Sequence, residues 1–212
     1  MKYSIKWIIG FYLLVWSSPL FSISPAEIME KVEKKIEKAG SVRLVFEETY
    51  VWELTEEKHV NRGTLILSGR NKFRIETTDQ VIVSNGTELR RYNQPNNQVL
   101  IESLDKSKTA MLPRRILFRY KETYKAENLG LEKMGSASCY HLEFTSTSGD
   151  EYFPKISVWV NKDTWMIEKV MQVDLHGNVT TFRLSGIELG ISISSDTFAL
   201  EVPAGTEVID MR

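Results

Sequence analysis

With 212 residues, 42% of them apolar, the chain can bury one sizeable core, and nothing in it reads as a disordered tract or a repeat array. Lys and Arg total 27 against 28 Asp and Glu, so bulk charge gives no argument for a nucleic-acid partner and any electrostatic role must be local. Cys139 is the single cysteine, which denies an exported chain any internal disulfide and leaves packing alone to hold the fold.

Lys2 and Lys6 precede an apolar run from Trp7 to Phe21 that is short for a membrane span, the pattern of a secretory signal with cleavage after Ser22. The expected organisation is therefore a signal peptide over 1–22 and a single domain over 23–212. Ser24-Pro25-Ala26-Glu27 forms a capping box with proline at the first helical position. Ile28, Val32, Ile36 and Ala39 then recur on one face, and Gly40 ends the helix. From Val42 the period changes to two, with Val42, Leu44, Phe46, Tyr50, Trp52 and Leu54 on one face of a long strand and a charged link over Glu56 to His59.

Gly63 to Tyr92 reads as a β-meander. Leu65 and Leu67, Phe73 and Ile75, and Val81 and Val83 alternate with polar neighbours, and Asn85-Gly86 is the signal of a type I′ hairpin turn. Asn93 to Asn97 turns into a further strand over Gln98 to Glu102. Between Asp105 and Lys125 the alternation breaks, and seven basic side chains stand against two acidic ones, a net of +5. This stretch reads either as a solvated connection or as a movable lid whose apolar side carries Met111, Leu112, Ile116, Leu117 and Phe118.

Strands resume at Tyr124, and turn signals at Gly135, Ser148, Asn161 and His176 divide runs over Ser138–Thr145, Lys155–Val160, Met166–Leu175 and Val179–Leu189. Ser194 caps a short turn before Phe198, and Val202, Val208 and Ile209 close the chain. The expected fold is α+β: an unclosed, strongly curved antiparallel β-barrel of about eleven strands, covered by an N-terminal helix and a short central helical lid.

The search for chemistry is mostly negative. His59, His141 and His176 are scattered, and the sequence holds no HExxH, no paired Cys and His spacing and no Gly-rich strand-to-helix loop, so neither a metal nor a cofactor is implied. No serine stands in a GxSxG setting. Glu47-Glu48 and Glu56-Glu57 are adjacent carboxylates, which on a strand face opposite ways and cannot act as a close pair; both pairs are expected to face solvent. A non-enzymatic protein is expected.

Gly63-Thr64-Leu65-Ile66-Leu67, Arg70-Asn71-Lys72-Phe73-Arg74, Val81 to Gly86 with Leu89 and Tyr92, and the ending Phe198 to Asp210 resemble the periplasmic outer-membrane lipoprotein carrier proteins of the LolA type. The resemblance implies an unclosed antiparallel barrel under helices, whose apolar cavity receives the acyl chains of lipoproteins. It also implies an inner-membrane lipoprotein-releasing transporter as donor and an outer-membrane receptor as acceptor. The family's arginine falls nearest to Arg70, displaced by one position, and a bulge at Gly69 would restore its direction so that it latches the lid.

Phe46, Leu65, Leu67, Phe73, Ile75 and Leu89 are the candidate cavity residues, each with ordinary core packing as the alternative. The expected activity is non-covalent carriage of acylated lipoproteins through the periplasm by a monomer, with no nucleic acid involved. Two other readings stand beside it: a lipid-binding or envelope-sensing module without onward transfer, and a lipid-processing enzyme with a polar catalytic group inside the cavity.

Overall fold

The computed structural model describes residues 23–105, 123–149 and 151–212. The expected signal segment lies outside them, as do the lid candidates Met111, Leu112, Ile116, Leu117 and Phe118. Helix α1 (Pro25–Ala39) starts as its sequence dictates: the Ser24 hydroxyl accepts the Glu27 amide at 3.2 Å and the Glu27 carboxylate accepts the Ser24 amide at 2.9 Å. At the other end Gly40 donates its N–H to the carbonyls of Ile36 and Glu37, both at 3.1 Å. Ile28, Met29, Val32 and Ile36 are buried. Met29 thus joins the expected stripe, whereas Ala39, in the last turn, is only half-buried.

Among the described residues twelve strands follow: β1 (Ser41–Val51), β2 (Lys58–Ser68), β3 (Lys72–Thr77), β4 (Gln80–Asn85), β5 (Glu88–Asn93), β6 (Gln98–Ser103), β7 (Tyr124–Met134), β8 (Ala137–Ser146), β9 (Lys155–Asn161), β10 (Ile167–Val173), β11 (Val179–Leu189) and β12 (Glu207–Asp210). They form one sheet in the order β12-β6-β5-β4-β3-β2-β1-β11-β10-β9-β8-β7. Two meanders therefore meet at β1, which pairs antiparallel with both β2 and β11. The sheet stays unclosed, with β12 and β7 at its edges. The twelfth strand, beyond the eleven expected, is the C-terminal one, and it runs parallel to β6, with Val208 opposite Val99.

Helix α1 touches β1 and β7, which stand five strand pairings apart in the sheet. It therefore spans the concave side like a chord. Asn128 on β7 donates to the Ile23 carbonyl at 2.8 Å, and the Lys31 ammonium sits 4.4 Å from the centre of the Trp165 ring in the β9–β10 turn. Buried Ile28, Met29, Val32 and Ile36 pack into one cluster with Val42, Leu44, Phe46, Leu142, Val158, Val170 and Phe182.

Several local expectations change. β1 ends at Val51, so Trp52 and Leu54 belong to the following turn, where Leu54 is 97% exposed. β2 begins at Lys58, so Lys58 and His59 are strand residues, not a link. The β4–β5 turn has its one positive φ at Gly86 (+109°), while Asn85 stays extended and its Oδ1 accepts the amides of Thr87 and Glu88. Gly86 and Thr87 are thus its central residues, and the two positive φ values of a type I′ turn are absent. Gly69 opens the three-residue β2–β3 turn at φ +59° and forms no bulge, because Ser68 and Lys72 pair directly across it.

The convex side of β3–β5 is covered too. Arg74 donates to the carbonyls of Thr197 (3.3 Å) and Ala199 (3.0 Å), tying down the 3-10 turn Ser195–Phe198 that Ser194 caps. Val83 lies beneath this segment at 2% exposure.

Candidate functional site

The register of the pairs decides which side chains share the concave face. Starting from β1, Val42, Leu44 and Phe46 lie opposite Leu67, Leu65 and Gly63; Leu67 and Leu65 lie opposite Phe73 and Ile75; and these face Ser84 and Ile82, with Leu89 next to Ser84. All six cavity candidates thus stand on one face, the face that α1 crosses. Phe46, Leu67, Phe73 and Leu89 are buried there, and Leu65 and Ile75 pack against the same cluster partly exposed.

Ile82 completes this surface. Alternation from Phe73 through the β3–β4 pairing would have found it, because Val81 and Val83, chosen by their own periodicity, turn outward opposite Glu76 and Arg74. Gly63 has a local purpose: a Cβ there would lie 2.3 Å from the Glu76 carbonyl oxygen and 2.6 Å from Cζ of Phe46. The missing side chain lets the Phe46 ring lie over β2. On the other flank, Lys35 of α1, Met166 before β10, and Leu184, Ile187 and Leu189 on β11 border an opening of ≈ 410 Å³, a volume in the range of ligand pockets.

Past Phe46 the same face changes character. Glu48 and Tyr50 follow on β1, with Asn61 and His59 opposite them on β2 and Phe182 and Thr180 on β11; Gln172 on β10 pairs with Thr180. Glu48 shares the inner face with Phe46 and Tyr50 and is desolvated there, which corrects the expectation that both members of Glu47-Glu48 face solvent. Glu47 turns to the outer face, where it accepts from Arg62 Nε at 2.9 Å. Adjacent strand residues must face opposite ways, so one of the two had to turn inward. Burial pushes the Glu48 carboxyl above its ordinary range, opposed by the nearby His59 and by a hydrogen bond from Asn61. Burial likewise raises the Tyr50 phenol, helped by Asp174 and Tyr152.

Arg70 sits in the β2–β3 turn and donates through Nε to Glu37 Oε1 of α1 at 2.9 Å, with a second bond from Nη2 to the same oxygen. The arginine therefore grips the C-terminal end of the helix. Its expected contact with the segment from Met111 to Phe118 falls outside the described residues. Arg91 and Glu102 also stand on the concave side, on β5 and β6 near the β12 edge, and pair at 3.5 Å.

Cys139 is fully buried on β8, on the opposite face from Leu142 and Phe144, and burial raises its thiol pKa, which keeps it protonated and inert. His141, two residues on, stacks on Trp159 with ring centres 4.2 Å apart, and the Lys169 ammonium lies 3.8 Å from that indole's centre. These groups pack the convex side of the second meander. Among the described residues no three His, Cys, Asp or Glu side chains gather as metal ligands would.

Among the described residues, a largely antiparallel unclosed sheet with an apolar inner face and one α-helix laid across it makes a half-open, barrel-like fold. Comparison with known proteins specifies the kind. The chain belongs to the family described as outer membrane lipoprotein carrier protein LolA, whose model matches residues 38–201. It is 22% identical over 207 residues to an outer-membrane lipoprotein carrier protein of Shewanella halifaxensis (strain HAW-EB4), covering 95% of this chain and 96% of that one. Among solved structures, an uncharacterized conserved protein from Thermus thermophilus shares the fold with a TM-score of 0.62 at 12% identity, covering 87% of this chain and 98% of that chain. A LolA superfamily protein from Nitrosomonas europaea matches with a TM-score of 0.46 at 15% identity, over 84% of this chain and 99% of that one.

Proposed function

We propose that this protein is a periplasmic carrier that holds the acyl chains of lipoproteins, without covalent chemistry, against Phe46, Leu65, Leu67, Phe73, Ile75 and Leu89, and delivers them to the outer membrane. The observation that carries this reading is the convergence of those six side chains on one helix-crossed face, in a chain of the lipoprotein carrier family. The physical need is plain. Each CH₂ of an acyl chain exposed to water costs about 0.8 kcal/mol, so a chain of some fifteen carbons costs on the order of 12 kcal/mol in transit.

A carrier must also let go, which favours a surface that is not packed to completion. Leu65, Ile75 and Ile82 are each only partly buried, and they offer apolar area to a guest at little cost in native contacts. Cargo would come from an inner-membrane releasing transporter and pass to an outer-membrane receptor. Arg70, by holding the end of α1 against the β2–β3 turn, is placed to couple loading to movement of the helix.

The test is recovery of the protein from cells that export it with its own signal, followed by mass spectrometry of whatever co-purifies. The mature chain should begin at Ile23 and carry acylated lipoproteins. Ile75→Glu should remain folded, because the site is partly open, and should lose most of that cargo, because the new carboxylate must stay hydrated. Recovery of equal cargo with the Ile75→Glu variant would refute the assignment of this face.

A further inference from the structure

The outer face of the first meander carries an opening of its own. Where the segment from Ser195 to Leu200 crosses the convex side of β3–β5, it leaves a cleft of ≈ 350 Å³ against the sheet, at the small end of the range of ligand pockets. Two cross-strand pairs, Lys72 with Asn85 and Val83 with Arg90, form its sheet wall together with Glu88. Phe198 and Leu200 bring apolar side chains from the crossing segment. Arg74 fastens that segment beside the cleft, with its guanidinium already engaged by Glu76 and by the carbonyls of Thr197 and Ala199.

The polar groups of the cleft are unequally engaged. Glu88, the carboxylate of the wall, is covered on both oxygens, because Arg90 donates to Oε2 at 3.1 Å and Arg212 donates to Oε1. Asn85 Oδ1 accepts the amides of Thr87 at 3.0 Å and Glu88 at 2.9 Å, which leaves the Nδ2 amino group as its open end. The Lys72 ammonium has no ion-pair partner among the described residues. What remains open is therefore a pair of donors beside Val83, which is 2% exposed. Lys72 and Arg90 against Glu88 leave the wall at 2 − 1 = +1, the complement of a monoanion. We infer that this cleft binds a carboxylate joined to a short hydrocarbon group, the chemistry of a leucine-like peptide C terminus or of a short-chain acid. Lys72 Nζ and Asn85 Nδ2 donate to the carboxylate, and the hydrocarbon lies against Val83, Phe198 and Leu200. The site is on the face turned away from Phe73 and Ile75, so it does not rest on the proposed carriage of acyl chains.

The experiment is an amide-correlation NMR titration of the ¹⁵N-labelled mature protein at neutral pH with three probes: N-acetyl-L-leucine, its uncharged match N-acetyl-L-leucinamide, and 4-methylpentanoate. N-acetyl-L-leucine should shift the amides of Asn85, Ser195, Phe198 and Leu200 saturably and bind at least about tenfold more tightly than the leucinamide. Lys72→Met keeps the apolar stem, and Asn85→Asp keeps the acceptor that closes the turn while removing the donor. Each should abolish most of the preference for acid over leucinamide, and both should fold, because neither side chain is core. Binding of 4-methylpentanoate as tight as that of N-acetyl-L-leucine would support a free acid as the guest, and binding about tenfold weaker would support a peptide C terminus. Equal affinity for acid and leucinamide in the wild type, a preference that survives both substitutions, or shifts that miss those four amides would overturn the site.

Discussion

The two ends of strand β1 share one inner face and differ in what they put on it. Val42, Leu44 and Phe46 are buried hydrocarbon in one cluster with α1, each matched by an apolar partner or by the glycine that makes room for it. Glu48 and Tyr50, two and four residues further on, bring ionisable groups to the same side, next to His59, Asn61, Thr180 and Gln172. A face built only to be a core would have continued in hydrocarbon, because a desolvated carboxyl weakens the native state. The first end contributes most to stability, and the second departs locally from core packing.

Substitutions at the two ends should accordingly act with opposite signs. The largest effect belongs to the apolar end: Phe73→Ala removes a fully buried ring and should cost about 3–5 kcal/mol, lowering the melting temperature by roughly 6–20 °C in calorimetry. A loss below about 1 kcal/mol would mean that this end is loosely packed.

At the polar end, Glu48→Gln should stabilise the protein. A carboxyl whose folded pKa is raised above its ordinary 4.5 contributes fully below that value, and the contribution is lost as pH rises through the folded pKa. Wild type and Glu48→Gln should therefore melt together near pH 4, and the variant should melt about 2–4 °C higher at pH 7.5. The reverse order at neutral pH would show that Glu48 is paired and stabilising.

The smallest effect on stability is expected at the boundary between helix and sheet. Arg70 and Glu37 are both well exposed, so Arg70→Leu should change stability by less than about 1 kcal/mol. If the pair restrains the helix, the variant should load cargo normally and hand it over more slowly in a two-step transfer assay. Unchanged rates in both steps would reduce Arg70 to a surface ion pair.

Much of the architecture is legible in the sequence because it rests on short-range patterns. The capping box at Ser24, the alternation of β11 over Val179–Leu189 and the Ser194 cap depend only on neighbours in sequence, and the structure has them at those residues. The candidate face is legible in the same way for Leu65, Leu67, Phe73 and Ile75. What alternation cannot convey is which side of a strand the next strand's partner makes inner. Val81 and Val83 have as good a pattern as Ile82, and only the pairing of Ile75 with Ile82 turns them outward. The parallel docking of β12 on β6 joins residues about a hundred positions apart, and nothing local encodes it. Glu48 is easily assigned to solvent because it stands beside another charged residue, although its parity with Phe46 already places it inside.

Carriage on the apolar inner face is tested most directly by a photoreactive benzoylphenylalanine placed at residue 75 or at residue 81 of the exported protein. The two positions lie on adjacent strands, β3 and β4, and face opposite sides of the sheet. Irradiation of intact cells and mass spectrometry of the adducts should give crosslinks to acylated lipoprotein peptides from position 75 and none from position 81. Crosslinks of equal yield from both positions, or lipoprotein adducts from position 81 alone, would contradict it.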